Sequence, residues 1–250
     1  MIRLSVIIAV LNSHEVFRRQ CAYIRAQQWP DDVELIIMDD GSDPPLSAPF
    51  EPVPHLRILQ THDMRPWTVE LARNAGARAA QGALLLMTDI DYIIPRQAIE
   101  LALTLKDDKM RFRRQFGVLL EDGRLTQEVD VLRQYGLTEQ RIAERGVELP
   151  PHPNNFVMRA EAFWSLGGYR EDLVDRPYPN KGDTYFKQAW AHAFEAGRLT
   201  LDERRETLYM FPNGQYCGDV DADPLGLFHT LTRKTSANHW YTHPRQYARA

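Results

Sequence analysis

Two acidic turns stand out as places where chemistry could be done: Asp39–Asp40 and Asp89–Ile90–Asp91. Each follows an aliphatic run, VELIIM at 33–38 and ALLLM at 83–87, of the kind that forms a strand covered on both faces. Ligands of open α/β sheets bind outside the carboxyl ends of the strands, so both turns are expected to border one crevice. Acids there repel a bare phosphate. Either a cation lies between, or the acids meet a base or a ribose. Two carboxylates two residues apart suit a hard ion such as Mg²⁺ or Mn²⁺, which keeps several waters and bridges to diphosphate oxygens. The plainer reading is that Asp89 and Asp91 only cap the loop that follows the strand.

The elements that must carry these acids can be read on either side. LSVIIAVL (4–11) reads as a first buried strand. Asn12 and Glu15 have capping-box spacing, and Val16, Phe17, Cys21 and Ile24 recur at helical spacing up to Pro30. With the strand at 33–38 this makes a strand–helix–strand unit, which predicts a parallel sheet. The proline-rich stretch 42–54 reads as a surface loop and 56–59 as a short strand. Residues 67–81 read as a helix whose Ala72, Ala75, Gly76, Ala79 and Ala80 allow close approach to the sheet. After the strand at 83–87, Pro95 opens a helix to about residue 105. From 106 to 146 charges are dense and apolar period is weak. That stretch reads as an insert or sheet edge, with a hairpin at Glu121–Asp122–Gly123 and a polar helix. A strand at 155–159, a helix at 161–165 ending in Gly167–Gly168, and a helix over 183–196 complete the reading.

Composition bounds the function. A chain of 250 residues, 44% hydrophobic and 26% charged, is long enough for one large α/β domain. A net charge of −4 argues against binding nucleic acid through bulk positive charge. No G-x-G-x-x-G follows the first strand and no G-x-x-x-x-G-K-[ST] occurs, which disfavours dinucleotide oxidoreductases and P-loop ATPases. Two separated cysteines, Cys21 and Cys217, make no disulfide framework and fit a reducing compartment. The first apolar run is too short to span a bilayer and lacks a signal-peptide leader. A cytoplasmic protein is therefore expected, with any membrane contact only peripheral, at the inner membrane.

LSVIIAVLN (4–12), ELIIMDDGS (34–42), ARNAG (72–76), TDID (88–91) and FVMRAEAFWSLGGYRED (156–172) follow one another in an order that resembles the family 2 glycosyltransferases with the GT-A fold. KGDTYFKQAW (181–190) and LTLDE (199–203) look like that family's late acidic segment. The resemblance implies a single α/β domain over 1–250 with a Rossmann-like, mostly parallel sheet. Residues 1–105 would be the nucleotide-binding half, 106–212 the acceptor side, and 213–250 a tail or lid. It implies transfer of a sugar from a nucleoside-diphosphate donor, a UDP-sugar in the leading case, to a saccharide, glycolipid or glycoconjugate hydroxyl, with inversion and with Mn²⁺ or Mg²⁺. Ala9, Val10 and Leu11 would line the base, and Asp39 would accept a hydrogen bond from it. Asp89 would face the ribose or a metal water, and Asp91 would be the main metal ligand with His229 as a third. Arg73, or else Arg65, would reach the diphosphate. Asp183 would be the base, with Glu171 and Asp172 as rivals, because Lys181–Gly182 and not a second acid stand before it. Asn154, Asn155 and Trp164 would lie near sugar or acceptor; His239, Trp240 and His243 belong to the tail. A retaining transferase, a nucleotidyltransferase and an inactive nucleotide-sugar-binding module remain the alternatives. Asp183 could also simply cap its helix, and Arg73 form a surface ion pair.

Overall fold

The computed structural model describes residues 1–65, 67–175 and 181–212. In chain order, β1 (Leu4–Val10), α1 (His14–Gln27), β2 (Val33–Asp39), β3 (Leu56–Gln60), α2 (Val69–Ala79) and β4 (Leu84–Asp89) form the first half. A short β5 (Tyr92–Ile93) and α3 (Arg96–Ala102) lead to β6 (Lys109–Arg111), β7 (Arg113–Phe116), β8 (Val118–Leu119) and β9 (Leu125–Thr126). Helices α4 (Val129–Gln134) and α5 (Glu139–Arg145) precede β10 (Glu148–Leu149), β11 (Phe156–Arg159) and α6 (Ala160–Ser165). A 3₁₀ turn (Glu171–Asp175), α7 (Gly182–Glu195), β12 (Leu201–Asp202) and β13 (Thr207–Met210) follow.

A seven-stranded sheet, ordered β12-β6-β11-β4-β1-β2-β3, runs through the molecule, and a four-stranded sheet, β10-β7-β13-β5, packs beside it. β1 lies between β2 and β4 and is parallel to both; within the seven-stranded sheet β11 is the strand antiparallel to both its neighbours. Register brings the acids together: Val10 lies opposite Asp39, and Ala9 opposite Asp89. Alternation along the strands splits the core. Val6, Ile8, Leu35, Ile37, Leu84 and Leu86 pack with α1 and the second sheet, while Ile7, Ile36, Met38, Leu85 and Met87 pack with α2, α6 and α7. Helix α2 sits very close to the sheet, because a Cβ at Gly76 would come within 2.6 Å of Ile7 Cγ2.

Several local expectations change. The capping box does not form: Ser13 is the N-cap, and Glu15 pairs instead with Arg18 and Arg19. Asn12, at φ 51°, uses its Oδ1 to accept from the Asp43 N–H. On α2 the buried small residues are Ala72, Gly76 and Ala77, not Ala79 or Ala80. The stretch 106–146 is not an insert, since β6 is an interior strand of the main sheet between β11 and β12. Its apolar period is hidden by cations that are nonetheless buried, Lys109 and Arg114, each 3% exposed. The hairpin at 121–123 is present, with Gly123 at φ 81°. No helix among the described residues is long and apolar enough to cross a membrane.

Candidate active site

The Asp89–Ile90–Asp91 turn joins β4 to β5 and is clamped from behind. Gln20, buried on α1, donates to the Ile90 and Tyr92 carbonyls at 3.1 and 2.8 Å, and Phe211 N–H donates to the Asp91 carbonyl at 3.1 Å. These bonds satisfy backbone groups that would otherwise be unpaired in an irregular buried turn.

Arg73 rises from α2 beneath this turn. Its Nη2 donates to Asp89 Oδ1, and its guanidinium lies 5.3 Å over the Tyr169 ring. Burial alone would favour its neutral form, but Asp89, the Tyr169 hydroxyl and Glu70 outweigh that and hold it charged. With its amide oxygen turned inward, Asn154 accepts from Arg73 Nη1 and Nη2 at 3.2 and 3.1 Å. Asn74 fastens the loop carrying Tyr169, giving its Nδ2–H to the Tyr169 carbonyl and accepting the Tyr169 N–H. Arg73 is therefore a buried, oriented cation and not a surface one.

Asp91 is different. Its Oδ1 is shut off from solvent and has no hydrogen-bond partner among the described residues. Burial, followed by the neighbouring Asp89 charge, pushes its carboxyl up to about 8. Two more partnerless buried atoms lie close by in the fold: Arg73 Nε, and Asn155 Nδ2, whose Oδ1 accepts from Thr88 Oγ1 at 2.9 Å. Buried polar atoms are almost always paired, so each of these three has a hydrogen bond to offer a polar ligand. Among the described residues no three His, Cys, Asp or Glu side chains converge into a ready-made cage. Mg²⁺ and Mn²⁺ bind through one or two carboxylates plus substrate phosphates. Asp91 with its open oxygen, and Asp89 with 28% of its side chain exposed, are a chemically fitting donor set.

Asp183 lies in the first turn of α7. Its Oδ1 accepts from Thr184 N–H at 2.7 Å, and Oδ2 has no partner among the described residues. Its charge and that of Asp89 both act on His152, whose ring nitrogen they favour protonated against burial, and on the Tyr169 hydroxyl. Glu171 instead accepts from Asn74 and pairs with Arg78, and Asp172 pairs with Arg170 at the surface. Arg65 is exposed and held between Asp63 and Asp175. Trp164 packs edge-on to Phe163 and under Arg78. His229, Cys217, His239, Trp240 and His243 lie outside the described residues.

On the β1–β2 side, Ala9 and Leu11 are half-buried and Val10 is buried. Asp39 does not point outward as the sequence suggests. It is 1% exposed, and its oxygens accept the Ser42 and Leu46 N–H groups at 2.9 and 2.8 Å. It shapes the loop because buried carboxylate oxygens must be satisfied, and the nearest donors are its own loop amides. Ser42 Oγ in turn accepts from Asn12 N–H at 2.9 Å, locking the two loops together. Asp40 receives the hydroxyls of Thr61 and Thr68.

Three residues of the site carry no sequence signal of it. Glu70 is 2% exposed on α2, and burial, opposed by Arg73, pushes its carboxyl up to about 7. Burial pushes the half-buried His152 down; its Nδ1 accepts the Asn154 N–H at 3.2 Å, which leaves the ring proton on Nε2. Arg114, held by Tyr92 Oη and the Pro150 carbonyl, draws the Asp91 carboxyl downward, against the effect of burial.

Comparison with known proteins agrees with this arrangement. A search of curated protein sequences finds no match. Among solved structures, the mannosyltransferase PcManGT from Pyrobaculum calidifontis, in complex with GDP-Man and Mn²⁺, superposes with a TM-score of 0.53 at 16% identity, over 86% of this chain and 58% of that one. The S. aureus protein TarS 1–349, in complex with UDP-GlcNAc, superposes at 0.51 and 14% identity, over 85% of this chain and 59% of that one. The chain thus spans about three fifths of the length of these structures, and at such identities the likeness shows the fold, the GT-A arrangement of a central sheet flanked by helices. Residues 5–167, well over half the chain, match the profile of Glycosyl transferase family 2. With its acid-ended parallel strands and that match, the chain belongs to the family 2 glycosyltransferases.

Proposed function

We propose that the chain is an inverting, metal-dependent glycosyltransferase that moves a sugar from a nucleoside diphosphate, a UDP-sugar in the leading case, to a hydroxyl of a saccharide or glycoconjugate. The observation that carries this reading is the buried Asp91 Oδ1, partnerless among the described residues, beside the Arg73–Asp89 pair. Ala9, Val10 and Leu11 form the wall for the base, and the Asp39-held loop sets its shape. Arg73, released from Asp89 or sharing it, meets the diphosphate with a preoriented guanidinium. Asp91 and Asp89 would hold the divalent ion, which when bound would supply positive charge against the departing diphosphate. Asp183 Oδ2 takes the proton of the acceptor hydroxyl as that oxygen attacks the anomeric carbon from the face opposite the leaving group. Sugar charge in the transition state is oxocarbenium-like.

The PcManGT structure holds GDP-Man with Mn²⁺ and TarS holds UDP-GlcNAc, so both nucleotides belong in the test. Thermal melts with UDP-GlcNAc, UDP-glucose and GDP-mannose, with and without Mn²⁺, should show metal-dependent stabilisation by one of them. If none stabilises the protein more with metal than without, the reading fails. A retaining transferase would need no base at Asp183, and the anomeric configuration of the product by NMR separates the two.

A further inference from the structure

We propose that the site has a second carboxyl group, supplied by Glu70 from α2 into the space beside Gly182, and that it positions Asp183. The inference rests on Asp183 being the base. A side chain at position 182 would precede Asp183 in the first turn of α7. That space is already filled: a Cβ built on Gly182 would fall on the Cγ, Cδ and Oε1 of Glu70. Glycine is thus the residue that lets the Glu70 carboxyl lie against the backbone of α7, one residue from Asp183.

Burying a carboxylate is costly unless it is paired. Glu70 is in the first turn of its own helix, where water would normally serve it, yet it is 2% exposed. Trp67 Nε1–H holds its Oε2 at 3.0 Å. The charges of Arg73 on its own helix and of Asp183 on α7 act on it in opposite senses, and its own charge acts on the Tyr169 hydroxyl. Arg73 is engaged with Asp89, so Glu70 is not its primary partner. What distinguishes the position is its contact with the start of α7, whose N-terminal N–H groups favour an anion. The carboxyl stands between the cation of the donor side and the base of the acceptor side. Its charge acts on both, and its bulk fixes the turn from which Asp183 projects.

A carboxyl that only fills space is replaceable by an amide of the same shape; one that positions the base through its charge is not. Full-length Glu70→Gln, Glu70→Ala, Gly182→Glu and the double variant E70A/G182E decide this. Gly182→Glu alone should melt several degrees lower, and the double variant should recover most of that loss; equal losses with and without Glu70 overturn the shared space. By ¹³C NMR the Asp183 carboxyl should show a second pH step as Glu70 ionises, absent in Glu70→Gln; an identical curve in both overturns the charge role. Release of nucleoside diphosphate from UDP-GlcNAc or GDP-mannose should fall about tenfold in kcat in Glu70→Gln with KM unchanged, and E70A/G182E should exceed Glu70→Ala. If Asp183→Asn loses turnover and Glu70→Gln keeps it, the Glu70 inference fails alone. If Asp183→Asn keeps turnover, the base assignment fails and takes this inference with it.

Discussion

Arg73 on α2 and Asp89 at the end of β4 form an ion pair in which only the acid reaches solvent: their side chains are 6% and 28% exposed. On the proposed reading, a diphosphate entering the crevice would compete with Asp89 for the same guanidinium. Arg73→Ala should therefore destabilise the free protein and weaken nucleotide binding together. Because Asp89 is partly hydrated, the loss of stability should be about 2 kcal/mol, below the figure for fully buried pairs. Affinity for UDP or GDP with Mn²⁺ should fall roughly ten- to hundredfold, as expected for charged hydrogen bonds. Urea denaturation and calorimetry read the two effects, and an unchanged affinity would remove Arg73 from the diphosphate site.

Asp91 should account for the metal response. UDP or GDP should bind more tightly with Mn²⁺ than without it, and Asp91→Ala should abolish the difference. Calorimetry at matched ionic strength reads this directly. Equal affinities with and without metal in the unaltered protein would show that the open oxygen at Asp91 Oδ1 is not a metal ligand.

Asp183→Asn keeps the shape and the Thr184 contact but cannot take a proton. Donor binding should be unchanged, and turnover should drop about 10²- to 10⁴-fold, the usual contribution of a general base. The ion pairs of Glu171 and Asp172 leave them poor substitutes. Full activity in Asp183→Asn, with loss in Glu171→Gln, would move the base there.

Lys109 offers a test of stability away from the site. It lies 4.2, 5.3 and 4.7 Å from the rings of Phe156, Phe186 and Trp190, and burial pushes its ammonium down to about 7. Between that value and the ordinary lysine range the unfolded chain binds more protons than the native one, so this group makes stability rise with pH across that interval. Lys109→Met removes the buried charge. Its advantage in melting temperature should be largest at pH 7 or below and should shrink by pH 9. A constant difference would mean that the ring cage fully replaces hydration.

The strands that end in acids were legible because their runs are aliphatic but for Glu34, and α1 because its buried residues keep helical spacing. β6 and β7 were not, since Lys109 and Arg114 look like surface residues until the aromatic rings and the Pro150 carbonyl that receive them are known. The same holds within the site. Asp89, Asp91 and Arg73 stand in a recognisable order along the chain. His152 and Glu70 do not, because their burial is produced by segments far away in sequence. Asp39 was found but its direction was not, as the donors that claim it belong to the loop after it.

Gly182 reads along the chain as a gap in an acidic motif. In three dimensions the gap is closed by Glu70. A pattern that demands neighbouring acids in sequence passes over this protein, whereas one that demands neighbouring carboxyls in space retains it. Helix α2 and helix α7 are thus tied at this point: a side chain placed at 182 requires the one at 70 to move or to shrink.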